Sequence, residues 1–253
     1  MLEINEVNFP DEMFRKYISN TFDRNKKGYL SDQERNNVKE IYIVLINDMK
    51  SVKGIEFFPN LVKLECGDTG ITELDVSKNL KLEGLWCDNT GITSLDVSNN
   101  TALAWLYCQN TGINELNLSN NPVLDTLWCY NTGITSLDVS NNTDLRVLDC
   151  SETGITKLNI NNNHLLTHLY CNDTGITSLD ISKNTRLYCL NCQNTGMTSL
   201  DVSNNTKLNI FGDINLSIIK ESDSIQDKII QAKDVLDNKT KDIKEVKSKE
   251  LER

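Results

Sequence analysis

The stretch LEGLWCDNTGITSLDVSNNTA, residues 82–102, decides the fold because close copies of it recur at a fixed step of 21 residues. Counted from its first leucine, positions 1, 4 and 6 are the apolar residues Leu82, Leu85 and Cys87. Side chains alternate between the two faces of a strand, so positions 4 and 6 share one face and Trp86 lies on the other. A repeat of this length is typical of solenoids, whose periods run from roughly 20 to 50 residues.

The copies run through most of the chain without a change of step. Seven full repeats are present, and each has a cysteine, a glycine and an asparagine at the same three positions. These residues are Cys66, Cys87, Cys108, Cys129, Cys150, Cys171 and Cys192; Gly70, Gly91, Gly112, Gly133, Gly154, Gly175 and Gly196; and Asn79, Asn100, Asn121, Asn142, Asn163, Asn184 and Asn205. A weaker upstream repeat has Val38, Ile41 and Ile43 at the same spacing, and an eighth decays after Leu208.

Each repeat is expected to form one coil. The Asn-Thr-Gly and Ser-Asn-Asn segments have the residues of turns, since glycine permits a positive φ and asparagine tolerates it. Between these turns, Ile92, Leu95 and Val97 return apolar groups to the interior. Because no single coil can bury its apolar side alone, we expect the coils to stack with parallel strands about 4.8 Å apart.

The repeat pattern L-x-x-L-x-C-x-x-T-G-I-T-x-L-D-V-S-x-N resembles the leucine-rich repeat, in a short bacterial version with cysteine at the third leucine and threonine at the usual asparagine. The match covers residues 61–213. The resemblance implies an α/β-type solenoid, a right-handed coil with a parallel sheet on its concave side, where such proteins usually bind partners. We expect a helical, EF-hand-like N-terminal cap over residues 1–37, the solenoid over 38–213, and a charged amphipathic C-terminal helix over 214–253.

The cysteine column is predicted to be packing rather than chemistry. Position 6 points inward, and an unpaired cysteine behaves as a small hydrophobic residue. Neighbouring strands lie about 4.8 Å apart, which is longer than the Cβ separation of about 3.8 Å that a relaxed disulfide prefers. Zinc sites converge four ligands from closely spaced pairs, whereas this column is linear.

The residues at the outward positions 3, 5 and 7 differ from one repeat to the next, as is expected of a recognition surface. All three tryptophans of the chain fall there, and large exposed aromatic patches tend to mark binding sites. The predicted partner-binding residues are Trp86, Trp105, Tyr107, Trp128, Tyr130 and Tyr170, with the acidic residues Glu65, Asp88 and Asp149 at the rim. The alternative interpretation is that stacking between strands only stabilises the sheet.

The function predicted from this surface is non-enzymatic recognition. A protein or peptide partner with basic groups would match the acidic rim, and the alternative is a glycan-binding bacterial surface or adhesion protein. The two histidines, His164 and His168, stand in no catalytic motif, and the repeated aspartates are assigned to turns. The net charge of −10 argues against nucleic acid as a partner, and no apolar run approaches the roughly 20 residues of a membrane span.

Residues 23–34, DRNKKGYLSDQE, resemble the calcium-binding loop of an EF-hand. In that resemblance the calcium ligands are Asp23, Asn25, Tyr29 (through its carbonyl), Ser31 and Glu34, around a glycine at position 6. The departure is Lys27 at position 5, where an oxygen ligand is expected. Helices are predicted on both sides of the loop, the second one opened by a capping box of Ser31 and Glu34. The segment is either a Ca²⁺ site or a calcium-free cap over the first coil.

The charged C-terminal segment has apolar residues at helical spacing, beginning with Ile225, Ile229, Ala232 and Leu236. Such a helix would cap the solenoid, associate with a second copy of the chain, or act as a stalk. The N-terminus lacks the basic start and apolar run of a secretory signal. As written, the chain is expected to be cytoplasmic, or secreted or cell-surface if a signal peptide was removed, and the sequence leaves the compartment open.

Overall fold

The computed structural model describes residues 1–43, 48–213 and 215–219, and most of them form stacked coils. The helices are α1 (Glu12–Phe22) and α2 (Asp32–Asn37), and one 3₁₀ turn covers Ile55–Phe57. The strands are β1 (Leu2–Glu3), β2 (Tyr29–Leu30), β3 (Glu40–Tyr42), β4 (Lys63–Glu65), β5 (Gly84–Trp86), β6 (Trp105–Tyr107), β7 (Thr126–Trp128), β8 (Val147–Asp149), β9 (His168–Tyr170), β10 (Cys189–Asn191), β11 (Ser199–Asp201), β12 (Asn209–Phe211) and β13 (Ser217–Ile219).

The main sheet contains nine parallel strands in the order β12-β10-β9-β8-β7-β6-β5-β4-β3. Adjacent strands pair one repeat apart, so that Leu85 lies between Leu64 and Leu106. The weak upstream repeat supplies β3 and the decaying eighth repeat supplies β12, and both strands join the sheet. The predicted solenoid with a parallel sheet is therefore confirmed.

The repeated asparagines connect each coil to the one before it. Asn121, for example, is fully buried, and its side-chain Nδ2 donates to the backbone carbonyl oxygens of Val97 at 3.1 Å and Asn100 at 2.9 Å. The other members of the column make the same pair of hydrogen bonds, beginning with Asn79 and ending with Asn205. The column therefore supplies donors to backbone oxygens that lie in the core, where an unmade hydrogen bond is expensive.

The turn after each strand decides between two residues that the sequence leaves equally suited to a positive φ. The positive φ falls on the residue before the threonine, as at Asn89 with φ 54°, and not on the repeated glycine. The glycine is needed for close approach instead. The N–H of Gly91 donates to the carbonyl of Ile71 at 2.9 Å, and a Cβ at Gly91 would lie 3.1 Å from the Thr72 methyl carbon.

The cysteine column is buried, as predicted. All seven column thiols are at most 1% exposed, and Cys189, which lies outside the column, is partly exposed. Burial raises the pKa of Cys108 and of Cys192 to about 12 each, and it raises the pKa of the remaining column thiols. Because the thiolate is the reactive form of cysteine, a raised pKa makes these thiols unreactive, and their role is to fill space in the core.

The N-terminal segment covers the first coil. Asp11 caps α1 by accepting from the N–H of Phe14 at 2.9 Å, and its second oxygen accepts from the N–H of Lys50 at 2.8 Å. The hydroxyl oxygen of Tyr17 on α1 accepts from the N–H of Tyr42, at the edge strand β3. The predicted capping box of α2 is present. The buried apolar residues of this segment belong to the same cluster as those of the coils.

The C-terminal prediction is corrected at its start. The segment that was expected to open a helix at residue 214 contains β13 (Ser217–Ile219), which pairs in parallel with β11. The rest of the predicted helix, including Ile225 and Leu236, lies outside the described residues. Across the part of the chain that the structure describes, none of the helices has the length and apolar character needed to cross a membrane.

We predict that the asparagine column is a major source of stability. Each buried hydrogen bond contributes a net of about 1 kcal/mol, so Asn121→Ala should lower the free energy of unfolding by about 2 kcal/mol. The control is Asn120→Ala, which removes one exposed hydrogen bond to Ser98 and should change the free energy by less than about 0.5 kcal/mol. Chemical denaturation of both variants measures the difference, and equal losses would contradict the assignment.

A thiol titration tests the burial of the cysteines. Only Cys189 should react quickly with a thiol reagent in the native chain, and all 8 cysteines should react in denaturant. The variant Cys189→Ala should lose the fast reaction and leave the slow one unchanged. More than two rapidly reacting thiols in the native chain would show that the column is open to solvent.

Candidate functional site

The outward face of the nine-stranded sheet, called the concave face below, is organised by one row of side chains at position 5 of the repeats. In the register of the sheet, each of these residues is paired with its counterpart on the next strand, about 4.8 Å away. The row reads Tyr42, Glu65, Trp86, Tyr107, Trp128, Asp149, Tyr170, Asn191 and Phe211. Phe211 is position 4 counted from Leu208, and it pairs with Asn191 because the last step along the sheet is one residue shorter than the 21-residue step of the repeats. It brings together most of the predicted partner-binding residues, while Trp105 lies beside it at position 3 and Asp88 and Tyr130 lie beside it at position 7.

Trp86, Tyr107 and Trp128, here called the aromatic row, pack against each other along the sheet. The rings of Trp86 and Tyr107 are stacked, with centroids 5.6 Å apart and an interplanar angle of 13°. Trp128 meets Tyr107 edge to face, with centroids 4.6 Å apart and an angle of 72°. Both geometries are favourable for aromatic pairs.

This packing corrects the expectation that the whole patch is exposed. Tyr107 is 1% exposed and Trp128 is 8% exposed, because rings on adjacent strands cover each other. Trp86 and Trp105 remain half-buried. Tyr107 and Trp128 therefore fit the interpretation that stacking stabilises the sheet, while Trp86 and Trp105 keep part of their surface open to solvent.

Gly84 controls the position of the Trp86 ring. The two residues share strand β5, and a side chain at Gly84 would overlap the six-membered ring of Trp86. The indole therefore folds back over the glycine and lies along the sheet. Sequence reasoning missed this role, although glycine two residues before an outward tryptophan on a strand was a signal for it.

The acidic residues are also less exposed than predicted. Asp88 is 3% exposed and lies over Gly67, where an added Cβ would be 2.9 Å from its Oδ1. Asp149 is 4% exposed, and its Oδ1 accepts from the backbone N–H of Ser151 at 3.1 Å and from the Ser151 hydroxyl at 2.5 Å. Glu65 is half-buried. Two of the three residues of the predicted acidic rim, Asp88 and Asp149, are therefore buried beneath the concave face.

The pKa of Tyr130 is affected by these buried carboxylates. It is half-buried, and burial raises its pKa. The negative charges of Asp149 and Asp88 raise the pKa of Tyr130 further, because they oppose the formation of a phenolate. Two buried carboxylates therefore lie within electrostatic range of Tyr130, near the middle of the concave face.

Solved structures can be compared with this geometry. An internalin of Listeria monocytogenes matches with a TM-score of 0.80 and 23% identity, over 87% of this chain and 67% of its own. This chain has the leucine-rich-repeat fold. Internalin C2 of the same organism has a TM-score of 0.72 and 18% identity over 86% and 97%, and a leucine-rich-repeat protein of Leptospira interrogans has a TM-score of 0.67 and 16% identity over 74% and 51%.

No protein-family model matches the leucine-rich-repeat chain, and no curated protein sequence does either. The chain spans about two thirds of the first internalin and about half of the Leptospira protein. At these identities the comparisons establish the fold, and the site must be argued from the side chains of this chain.

The C-terminal part of the leucine-rich-repeat sheet has a second polar and aromatic group. Tyr170 is half-buried, and the thiol of Cys189 lies 3.9 Å from its hydroxyl oxygen. The ring of His168 lies 6.1 Å from the ring of Tyr188, which is 54% exposed. Sequence reasoning missed Tyr188 because it precedes β10 and belongs to none of the outward positions considered.

The EF-hand-like loop lies at the N-terminal end, away from the aromatic row. Asp23 is buried, and its two carboxylate oxygens accept from the backbone N–H groups of Lys27 at 3.0 Å and Gly28 at 2.7 Å. The ammonium group of Lys27 donates to both carboxylate oxygens of Glu34, at 2.7 and 2.9 Å. Asn25 is exposed. Within the described ranges, no group of three or more His, Cys, Asp or Glu side chains is arranged to hold a metal ion.

The role of Gly84 gives a direct prediction. Gly84→Ala should push the Trp86 indole off the sheet and weaken its stacking with Tyr107, since the added methyl group needs the space of the ring. Near-ultraviolet circular dichroism should lose part of the signal of the stacked pair, while far-ultraviolet spectra stay unchanged. Val147→Ala, at the same position of β8, serves as the control, and equal near-ultraviolet spectra for the two variants would contradict the role of Gly84.

Proposed function

We propose that this leucine-rich-repeat chain is a non-enzymatic recognition module that binds a basic segment of a protein or peptide on its concave face, at the aromatic row. The observation that carries the proposal is the half-buried indole of Trp86, which is stacked on the buried ring of Tyr107. A partner that covers this indole would remove more apolar surface from water. Tryptophan is among the residues most enriched at binding hot spots.

Rigidity of the aromatic row supports a binding role. Tyr107 is held between two rings, and Gly84 leaves room for the indole to lie along the sheet. A side chain that is already ordered loses little conformational entropy when a partner binds, so more of the contact energy appears as affinity.

Charge supports a partner with basic groups. Asp88 and Asp149 lie under the concave face on either side of Tyr130, and Glu65 stands beside Trp86 in the register of the sheet. The chain as a whole has a net charge of −10. A lysine or arginine side chain would be attracted by these carboxylates, and its cation would be stabilised over the indole face.

The absence of an enzymatic role is part of the proposal. The column thiols have raised pKa values, which opposes a nucleophilic role. The repeated aspartates accept hydrogen bonds within their own turns, as Asp96 does from the N–H of Ser98 at 2.9 Å. Neutral Asn117 and Asn159 take the same role in two of the coils, which identifies the column as turn structure.

Glycan binding, the second candidate, rests on the same indole. A sugar ring stacks on a flat aromatic face and needs hydroxyl partners around it. The hydroxyl of Tyr130, half-buried at position 7 of the concave face, would be one such partner. A glycan-binding surface or adhesion role is therefore the alternative.

A paired array experiment separates the two candidates. The labelled chain is applied to peptides of basic, neutral and acidic composition and, in parallel, to a glycan array. We expect retention on basic peptides, and we expect Trp86→Ala to weaken the binding of the best peptide by about 30-fold, the size of a hot spot.

The matched control is Leu80→Ala, which removes an exposed apolar side chain outside the sheet and should leave affinity unchanged. Trp128 is less suitable for this test, because it is buried and offers little surface to a partner. Retention on glycans with none on peptides would favour the alternative. Equal affinities of Trp86→Ala and Leu80→Ala would exclude the aromatic row as the binding site.

A further inference from the structure

The EF-hand-like loop has two features that the turn of such a calcium loop needs. Gly28 has φ 79°, the left-handed conformation that the sharp turn at position 6 needs. Asp23 at position 1 accepts from two backbone N–H groups across the loop. After the turn, β2 pairs with β1 at the start of the chain, and the N–H of Ile4 donates to the carbonyl of Gly28 at 2.9 Å.

The ligand set does not fit a calcium ion. The glutamate at position 12 has to bind the ion with both oxygens, but both oxygens of Glu34 accept from the Lys27 ammonium group. One of them also accepts from the backbone N–H and the hydroxyl of Ser31, each at 2.8 Å. A divalent cation would have to displace the ammonium group and would be repelled by it.

We propose that the ammonium group of Lys27 takes the place of the divalent cation, so that the N-terminal cap is closed by a covalently tethered charge and does not depend on calcium. It joins position 5 of the loop to Glu34 in the first turn of α2, which is the connection that a bound ion makes in such a loop.

Two further features hold the ammonium group in this position. Lys27 Nζ lies 5.0 Å from the centroid of the Tyr29 ring, within the range of a cation–π interaction. The second feature is partial burial of the pair, with the side chains of Lys27 and Glu34 at 26% and 27% exposure. The Lys27 hydrogen bond is the largest cause that lowers the pKa of Glu34 to about 2, which keeps the carboxylate charged.

Closure of the loop matters because the cap packs on the solenoid. Leu2 and Leu30, which β1 and β2 place opposite each other, are both buried in the cluster that includes the first coils. A loop that opens would release these strands from each other. The tethered charge therefore stabilises the cover of the first coil.

The proposal is tested by exchanging the tethered charge for a ligand. Lys27→Asp completes an oxygen ligand set at positions 1, 3, 5, 7, 9 and 12, and Lys26→Asp is the matched control with the same change in charge on an exposed neighbour. The full chain is titrated with calcium chloride by calorimetry, and its melting temperature is measured in EDTA and in millimolar calcium.

We expect no binding heat for the native chain and for Lys26→Asp, and equal melting temperatures with and without calcium. Lys27→Asp should melt several degrees below Lys26→Asp in EDTA, should bind one ion per chain, and should recover stability in calcium. One calcium ion bound by the native chain would overturn the proposal. So would a Lys27→Asp variant that melts like Lys26→Asp in EDTA or does not respond to calcium.

A second pair keeps the proposal falsifiable if Lys27→Asp does not fold. Lys27→Met keeps the length of the side chain but has neither a charge nor an oxygen, and Lys26→Met is its control. Lys27→Met should melt at a lower temperature than Lys26→Met and should not respond to calcium. Equal melting temperatures for the two variants would show that the ammonium group does not hold the loop.

Discussion

Backbone pairing between coils that lie one 21-residue turn apart is the interaction on which the structure depends. Because each strand pairs with its neighbours in register, every side chain meets its own counterpart about 4.8 Å away. A residue type at an inward position must therefore pack well against identical residues on the neighbouring coils. Cysteine meets this condition at position 6 because it is small and apolar, and asparagine meets it because its amide donates to backbone oxygens of the preceding coil.

The same register sets what the concave face can do. Outward aromatics on adjacent strands are too close to be independent, so Tyr107 is covered by its neighbours while Trp86 keeps a partly open face. Stacking thus stabilises the sheet and orders the indole that is proposed to meet a partner. Removing one ring changes both the packing of the sheet and the surface offered to a partner. A free energy of unfolding or of binding measured on such a variant therefore includes part of the other effect.

The sequence predicts the columns well and their exposure poorly. Period-two alternation places Leu85 and Cys87 on the inner face and Trp86 on the outer face, and the structure agrees. Alternation says which way a side chain points, but it does not say what covers it. Burial of Tyr107 depends on rings contributed by residues 21 positions away on either side, and the placement of Trp86 depends on the missing side chain of Gly84.

The turns and the C-terminal strand show a second limit of sequence reasoning. Asparagine and glycine both tolerate a positive φ, so composition alone could not assign the left-handed position to Asn89 and the close approach to Gly91. Strand β13 has no repeat of its own, and its pairing with β11 arises from the position of the chain after the last coil. Neither feature leaves a periodic signal.

The N-terminal end of the stack is covered, and this affects where a binding face can lie. Terminal coils have one neighbour instead of two, so they are the least stable part of a solenoid unless something covers them. At the N-terminal end, α1 covers the edge of β3 through Tyr17, and the loop at Lys27 closes the cap. The aromatic row on β5, β6 and β7 lies inside that covered end, where each strand has a partner on both sides. A rigid recognition surface requires such support, because fraying of a neighbouring strand would release the ring stack as well as the backbone.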